Sequence, residues 1–129
     1  MATIHHEFQI EAAPDKAWEV LRDISKINQL ISFLGEVTVE GDRRTCSLGD
    51  NGTLSELIVS VDDQRRRVAY SILESPFNME HHNSSMQVEP NGGTGSNFTW
   101  TTDLKPDSAA PGLSEALDAA VESIKLALK

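Results

Sequence analysis

The stretch that most restricts the fold of this chain runs from residue 36 to residue 104. It holds segments rich in Val, Ile, Thr, Ser and aromatic residues, and short clusters of turn-forming residues separate them. Connections this short join antiparallel strands, because parallel neighbours need a crossover of about a dozen residues or more. The pattern therefore predicts an antiparallel meander with strands near residues 36–41, 43–48, 53–62, 66–75, 79–89 and 95–104.

A seventh strand and two short helices are predicted before the meander. Residues 4–10 alternate with period two, which is typical of a strand with one covered face. Pro14 and Asp15 suit the first turn of a helix, which tolerates a missing N–H and favours a negative charge. This helix is expected to reach about residue 23. Ser25 is expected to be the N-cap of a second helix over residues 26–34, closed by Gly35.

After residue 106 the apolar residues recur at helical spacing, behind Pro111 and Gly112. The spacing predicts a C-terminal helix of roughly seventeen residues. A seven-stranded antiparallel sheet needs one face covered, so we expect this helix to lie across the concave face. One helix cannot fill a wide curved sheet, and an apolar pocket is therefore expected between them. Residues 1–129 are interpreted as one α+β domain.

The element order and several stretches resemble the helix-grip superfamily. The stretches are FQIEAAPDKAWEVLRDI (8–24), RVAYSILESPF (67–77), MQVEPNGGTGSNFTWTTDLKP (86–106) and the apolar C-terminal helix. The superfamily includes START lipid-transfer domains, the birch pollen allergen, abscisic acid receptors, lachrymatory factor synthase and small bacterial polyketide cyclase/dehydrase-like (SRPBCC) proteins. The resemblance covers essentially the whole chain and implies a ligand site between the concave sheet and the long helix. It is specific for the fold and not for one activity.

Charge and cysteine content exclude several partners. The net charge of −9 would repel nucleic acid and anionic lipid, because Lys and Arg drive binding to both. The N-terminal residues show no basic segment followed by an apolar run, so we expect no membrane insertion and a cytoplasmic location. Cys46 is the single cysteine and can form neither an internal disulfide nor a thiolate zinc site within one chain.

Strand parity selects candidate pocket residues. Val68, Tyr70, Ile72 and Glu74 share one face of their strand, and alternate residues of the two strands that follow do the same. The predicted ligand-binding residues are Phe33, Leu34, Tyr70, Ile72, His82, Met86, Phe98, Trp100, Leu117 and Val121. Tyr70 and Trp100 each combine a large apolar body with a polar tip, which suits a ligand site and an ordinary core equally. Trp18 is interpreted as helix packing.

Candidate catalytic residues are few. His82, Tyr70 and Glu74 are candidates for proton transfer if burial shifts a pKa, although a solvated Glu74 and a hydrogen-bonded interior His82 are the simpler interpretations. The pairs His5-His6 and His81-His82 are not interpreted as metal ligands, because adjacent strand residues point to opposite faces. No metal and no cofactor is expected.

The sequence leaves three functions open. The leading hypothesis is binding or transport of a small hydrophobic molecule. The first alternative is an enzyme of the polyketide cyclase/dehydratase type acting on such a molecule, and whether any reaction is catalysed stays undecided. The second alternative is an interaction module with a collapsed cavity and an exposed strand edge. A monomer and a homodimer are both compatible with the sequence.

Overall fold

A computed structural model describes residues 2–129. The strands are β1 (Ala2–Ile10), β2 (Val37–Glu40), β3 (Arg43–Ser47), β4 (Thr53–Asp62), β5 (Arg67–Glu74), β6 (His81–Pro90) and β7 (Ser96–Lys105). The helices are α1 (Pro14–Leu21), α2 (Ile27–Leu30) and α3 (Ala110–Ala127). Short 3₁₀ turns cover Ile24–Lys26, Gly49–Asn51 and Asp107–Ala109.

The seven strands form one antiparallel sheet in the order β1-β7-β6-β5-β4-β3-β2. Consecutive strands from β2 to β7 pair as a meander, and β1 joins the far side by pairing with β7 along its whole length, from Ala2 opposite Leu104 to Ile10 opposite Ser96. The first strand of the chain therefore lies beside the last one. The predicted fold class is confirmed: an α+β helix-grip fold with short helices after the first strand and a long C-terminal helix.

Helix α3 supplies an apolar face to the core, with buried residues Leu113, Leu117, Ala120, Val121 and Ile124. Two hydrogen bonds join it to the end of α2 and the residues that follow, because Ser123 Oγ donates to the Leu30 carbonyl at 2.7 Å and accepts from Ser32 N–H at 2.9 Å. At its C-terminus, the Leu128 carbonyl accepts from Ala12 N–H at 2.8 Å. These hydrogen bonds hold the C-terminal part of the helix to the segment between β1 and β2.

The segment between α1 and α2 differs from the sequence-based expectation. Helix α1 ends at Leu21, and α2 spans Ile27–Leu30 instead of residues 26–34. The prediction that Ser25 is the N-cap was wrong. Helix α2 has no side-chain cap, and Asp23 caps the 3₁₀ turn Ile24–Lys26 before it, because its carboxylate accepts hydrogen bonds from Ser25 N–H at 3.2 Å and Ser25 Oγ at 2.6 Å. An aspartate is as good a capping residue as a serine, and here it lies two residues earlier.

Strand β4 is irregular where it faces β5. The register shifts between Ser55 and Glu56 and again between Ile58 and Ser60. Bulges of this kind bend a strand and re-aim its side chains. As a result Ser55 and Glu56 are both buried although they are adjacent, whereas Leu57 and Val59 are exposed on the outer face. Glu56 itself follows the regular alternation of the strand, so the irregularity accounts for the burial of its neighbour Ser55.

Candidate functional site

A cavity of about 520 Å³ lies between the sheet and the helices α2 and α3. Its volume falls within the range of roughly 300–1,000 Å³ that is usual for small-molecule sites. Most of the lining is aliphatic or aromatic. The lining residues are Ile27, Ile31, Phe33, Leu34, Arg44, Leu48, Asn51, Leu54, Glu56, Tyr70, Ile72, Pro76, Phe77, Met86, Trp100, Leu113, Ala116, Leu117, Ala119 and Ala120.

The cavity has an apolar rim that reaches solvent. Phe33, which follows α2, is 48% exposed although it is a large aromatic side chain. Pro76 is also exposed and Phe77 is half-buried, and both come from the loop between β5 and β6. On the helix side the lining includes alanines, whose short side chains leave space that a larger residue would fill. The rim and the helix together leave room for a molecule with an apolar body.

The polar end of the cavity is formed by Arg44 and Glu56. Arg44 Nε donates to Glu56 Oε1 at 2.8 Å, and the two side chains are only 4% and 5% exposed. Arg44 Nη1 also donates to the Ile24 carbonyl at 3.1 Å. These bonds use two of the five guanidinium donors. Because a buried charge is costly unless it is paired, the two residues hold each other in place.

Tyr70 and Trp100 form the next part of the wall. The indole Nε1 of Trp100 lies 3.1 Å from the Tyr70 hydroxyl and 3.0 Å from Ser84 Oγ, and it donates to both. The Arg44 guanidinium lies 5.7 Å from the centre of the Tyr70 ring, which is a cation–π arrangement. Burial, with the nearby Glu56 charge, raises the pKa of Tyr70 to about 12. The phenol is therefore neutral and can act as a hydrogen-bond donor.

His82 is buried, and a structural hydrogen bond occupies its Nδ1. The pairing of β5 with β6 ends at Tyr70 opposite Ser84. Beyond this point Ile72 N–H donates to His82 Nδ1 at 2.9 Å, and Ser71 Oγ donates to the His82 carbonyl. Burial, with a smaller effect of His81, lowers the pKa of His82 to about 4. The imidazole is therefore neutral, and it substitutes for a missing strand-to-strand hydrogen bond.

Most of the predicted ligand-binding residues line this cavity. They are Phe33, Leu34, Tyr70, Ile72, Met86, Trp100 and Leu117. His82, Phe98 and Val121 lie outside the cavity lining. Phe98 is fully buried and stacks on Phe8 with ring centroids 4.9 Å apart, so it contributes to the core beside β1. Val121 borders a separate recess between β1 and α3.

The candidates for proton transfer do not converge on the cavity. Tyr70 lines it, but His82 does not, and Glu74 is exposed at the end of β5. Glu74 has the same parity as Tyr70, but it lies beyond the part of β5 that lines the cavity. The carboxylate that does reach the cavity is Glu56, which sequence reasoning missed.

Parity contained a signal for the missed pair. Arg44 shares a strand face with the buried Cys46, and Glu56 shares one with Leu54 and Ile58. In the β3–β4 register, Arg44 and Glu56 are direct partners. An isolated charge at an inward position, opposite a charge of the other sign, is an unusual pattern that identifies a buried pair. The sequence alone does not set the β3–β4 register that makes these two inward positions neighbours.

Cys46 lies next to Arg44 and Glu56, and its surroundings make the thiol unreactive. Its side chain is fully buried, and Sγ donates to Glu56 Oε1 at 3.9 Å. Burial, with the Glu56 charge, raises the pKa of the thiol to about 11. Since the thiolate is the nucleophile, this environment opposes covalent chemistry at Cys46.

Strand alternation separates the members of both histidine pairs. The His6 side chain is 20% exposed and contacts Asp118 at 2.9 Å, whereas the His5 side chain is 50% exposed. Similarly, His82 is buried and His81 is exposed. Within residues 2–129, no group of three or more His, Cys, Asp or Glu side chains is placed to hold a metal ion. No helix in this part of the chain is long and apolar enough to cross a membrane.

The sheet, the long helix and the cavity between them define a helix-grip protein with an internal cavity. Residues 1–128 match the family described as polyketide cyclase / dehydrase and lipid transport. The chain belongs to this family. A comparison with curated proteins gives no match.

Solved structures share the fold at low sequence identity. XoxI from Bacillus cereus aligns with a TM-score of 0.90 at 18% identity, over 99% of this chain and 96% of that one. A protein from Thermobifida fusca gives 0.84 at 23% identity, over 99% and 91%. Norcoclaurine synthase from Thalictrum flavum, in complex with dopamine and hydroxybenzaldehyde, gives 0.72 at 17%, over 97% and 84%. At these identities the likeness is one of fold.

Proposed function

We propose that this protein binds and carries a small, mostly hydrophobic molecule in the cavity between the sheet and α3. The observation that carries the proposal is the cavity itself, with a volume of about 520 Å³ and a mainly apolar lining. The family description, which includes lipid transport, supports it. The space that the side chains leave supports ligand binding over the alternative of a collapsed cavity.

The residues proposed to contact the ligand are those of the predicted set that line the cavity. Met86 and Trp100 form part of the sheet side, Leu117 the helix side, and Phe33 the rim. The net charge of −9 supports a small molecule over nucleic acid as the partner. A cytoplasmic location is part of the proposal.

The test is to fill the cavity and to measure binding of an uncharged fluorescent probe, N-phenyl-1-naphthylamine. Leu117, which is buried on the cavity side of α3, is replaced by Trp. The larger side chain occupies space that the probe needs, and we expect affinity to fall about tenfold or more, since burial of one aromatic group contributes roughly 1.5–3 kcal/mol.

Leu126→Trp is the matched control. It makes the same substitution on the same helix, but Leu126 is 67% exposed and lies outside the cavity lining. This variant is expected to bind the probe as the wild type does. Equal loss of binding in both variants, or unchanged binding in Leu117→Trp, would contradict the proposed site.

A second candidate function is an enzyme of the cyclase/dehydratase type. The observation that favours it is the polar cluster of Arg44, Glu56 and Tyr70 on the cavity wall. In such a reaction Glu56 would exchange a proton and the Tyr70 hydroxyl would donate a hydrogen bond to a carbonyl. Mass spectrometry of molecules that co-purify with the protein, before and after incubation, separates the two functions: a carrier returns its ligand unchanged.

A further inference from the structure

We infer that the ligand of this cavity is electrically neutral and amphipathic, with a hydroxyl or a comparable uncharged polar group that docks against Arg44 and Glu56. The inference rests on the proposed binding function and specifies the chemical class of the molecule. It follows from the charges, the depth and the free hydrogen-bonding capacity of the cavity wall.

The charges of the cavity lining cancel. Its titratable residues are Arg44, Glu56 and Tyr70, of which the first two form an ion pair and the third is neutral. A charged ligand would leave water without finding a net opposite charge, and desolvation of an uncompensated charge is expensive. A carboxylate placed beside Arg44 would also meet Glu56, and an ammonium placed beside Glu56 would also meet Arg44.

The pair retains hydrogen-bonding capacity for a neutral group. Its mutual bond and the bond to the Ile24 carbonyl engage Nε and Nη1 of Arg44 and Oε1 of Glu56. Arg44 Nη2 and Glu56 Oε2 take no part in these bonds. A hydroxyl both accepts and donates, so it can accept from the guanidinium and donate to the carboxylate. A carbonyl oxygen can accept hydrogen bonds from the guanidinium and from the Tyr70 hydroxyl.

The depth of the pair determines the orientation of the ligand. Arg44, Glu56 and Tyr70 are buried, whereas the exposed lining residues Phe33 and Pro76 lie at the rim. An amphipathic molecule therefore buries its polar end and leaves its apolar body between α3 and the rim. The reverse orientation would bury the apolar end against an ion pair and leave the hydrogen bonds of that pair unused.

The experiment compares three molecules with the same ten-carbon chain: decan-1-ol, decanoate and decylamine. Each displaces N-phenyl-1-naphthylamine from the protein at about pH 8, where the acid and the amine are both charged. We expect decan-1-ol to displace the probe at about a tenfold lower concentration than either charged molecule, which is a modest effect for an uncompensated charge. Decylamine is the sharper comparison, because the net charge of −9 attracts a cation to the protein.

Two variants test whether the ion pair causes this preference. Glu56→Gln leaves Arg44 without its counter-charge, so decanoate should bind more tightly than decan-1-ol. Because this variant can lose stability, the second is Arg44→Met with Glu56→Met, which removes both charges together. Relative to N-phenyl-1-naphthylamine, decan-1-ol should bind this variant about tenfold more weakly than it binds the wild type, since the hydroxyl loses its partners.

The outcomes separate this inference from the proposed function. Failure of the uncharged probe to bind, with no heat from decan-1-ol or decanoate in calorimetric titration, overturns both. Probe binding with decanoate or decylamine equal to or better than decan-1-ol in the wild type overturns the inference alone. An unchanged affinity for decan-1-ol relative to the probe in the double variant also overturns it, because the hydroxyl would then dock elsewhere.

Discussion

Arg44 and Glu56 are direct partners across β3 and β4, and Arg44 Nε lies 2.8 Å from Glu56 Oε1 inside the fold. Each of these charges is tolerated there only because the other is present. The pair therefore has two roles that can be measured separately. It affects the stability of the protein, and it gives the otherwise apolar cavity a polar end.

If the pair affects stability in this way, single and double variants should change the free energy of unfolding by different amounts. Glu56→Ala leaves the Arg44 guanidinium buried and unpaired, and we expect a loss of about 3–5 kcal/mol in the free energy of unfolding. Arg44→Met with Glu56→Met removes both charges and should lie within about 1–2 kcal/mol of the wild type. Urea unfolding followed by circular dichroism measures both values.

A surface ion pair provides the control for this comparison. Lys26 contacts Asp23 at 3.7 Å, and both side chains are largely exposed. Lys26→Ala is expected to change the free energy of unfolding by less than about 1 kcal/mol. If Glu56→Ala cost no more than this control, the buried pair would not have the energetic role that its burial implies.

Trp100 should report ligand binding and Trp18 should not. The chain has two tryptophans. Trp100 lines the cavity, whereas Trp18 belongs to α1 and donates from Nε1 to Asp63 Oδ1 at 2.9 Å. Binding of an apolar molecule should therefore shift or quench tryptophan emission, and Trp100→Phe should remove most of this response. Trp18→Phe should retain it, and a response that follows Trp18 instead would place the ligand near α1.

His82 should make the protein less stable as the pH falls from 6.5 towards 4. Burial lowers its pKa from 6.5 to about 4, so the unfolded chain binds a proton in this window and the folded chain does not. The stabilisation is complete above the unfolded pKa and is lost as the pH falls to the folded one. The total loss is up to about 3 kcal/mol.

The matched variant for this prediction is His82→Asn. The amide oxygen of Asn can accept from Ile72 N–H as His82 Nδ1 does, but it does not titrate. The free energy of unfolding, measured by urea at several pH values, should fall less steeply between pH 6.5 and 4 in the variant. Equal slopes would show that His82 does not cause the pH dependence. The pKa values of Asp23, Asp62 and Asp63 are lowered from 3.8, so these carboxyls affect the free energy of unfolding only at pH values below this window.

Cys46 should resist modification in the folded protein. Its thiol is fully buried and its pKa is raised to about 11, so little thiolate forms and reagents cannot reach it. Incubation with iodoacetamide at neutral pH should give labelling in urea but almost none in buffer, as measured by mass spectrometry. Rapid labelling under native conditions would indicate that the β3 side of the cavity opens readily.

Local patterns in the sequence determined the element types and most inward faces. Period-two alternation identifies strands, helical spacing identifies α3, and short turns impose antiparallel pairing, because each of these signals depends on residues near in sequence. Parity placed Tyr70, Met86 and Trp100 inward, and all three line the cavity. The helix-grip fold was predictable for the same reason.

Only the tertiary structure decided which inward residues meet. His82 faces inward, as parity predicts. Its Nδ1, however, accepts a hydrogen bond from Ile72 N–H, because the pairing of β5 with β6 ends before these residues. This contact depends on where the two strands separate. Glu56 meets Arg44 because the register of β3 with β4 places the two residues directly opposite each other. Strand separation, bulges and the space left under a helix arise from packing between distant segments, and a local pattern does not contain them.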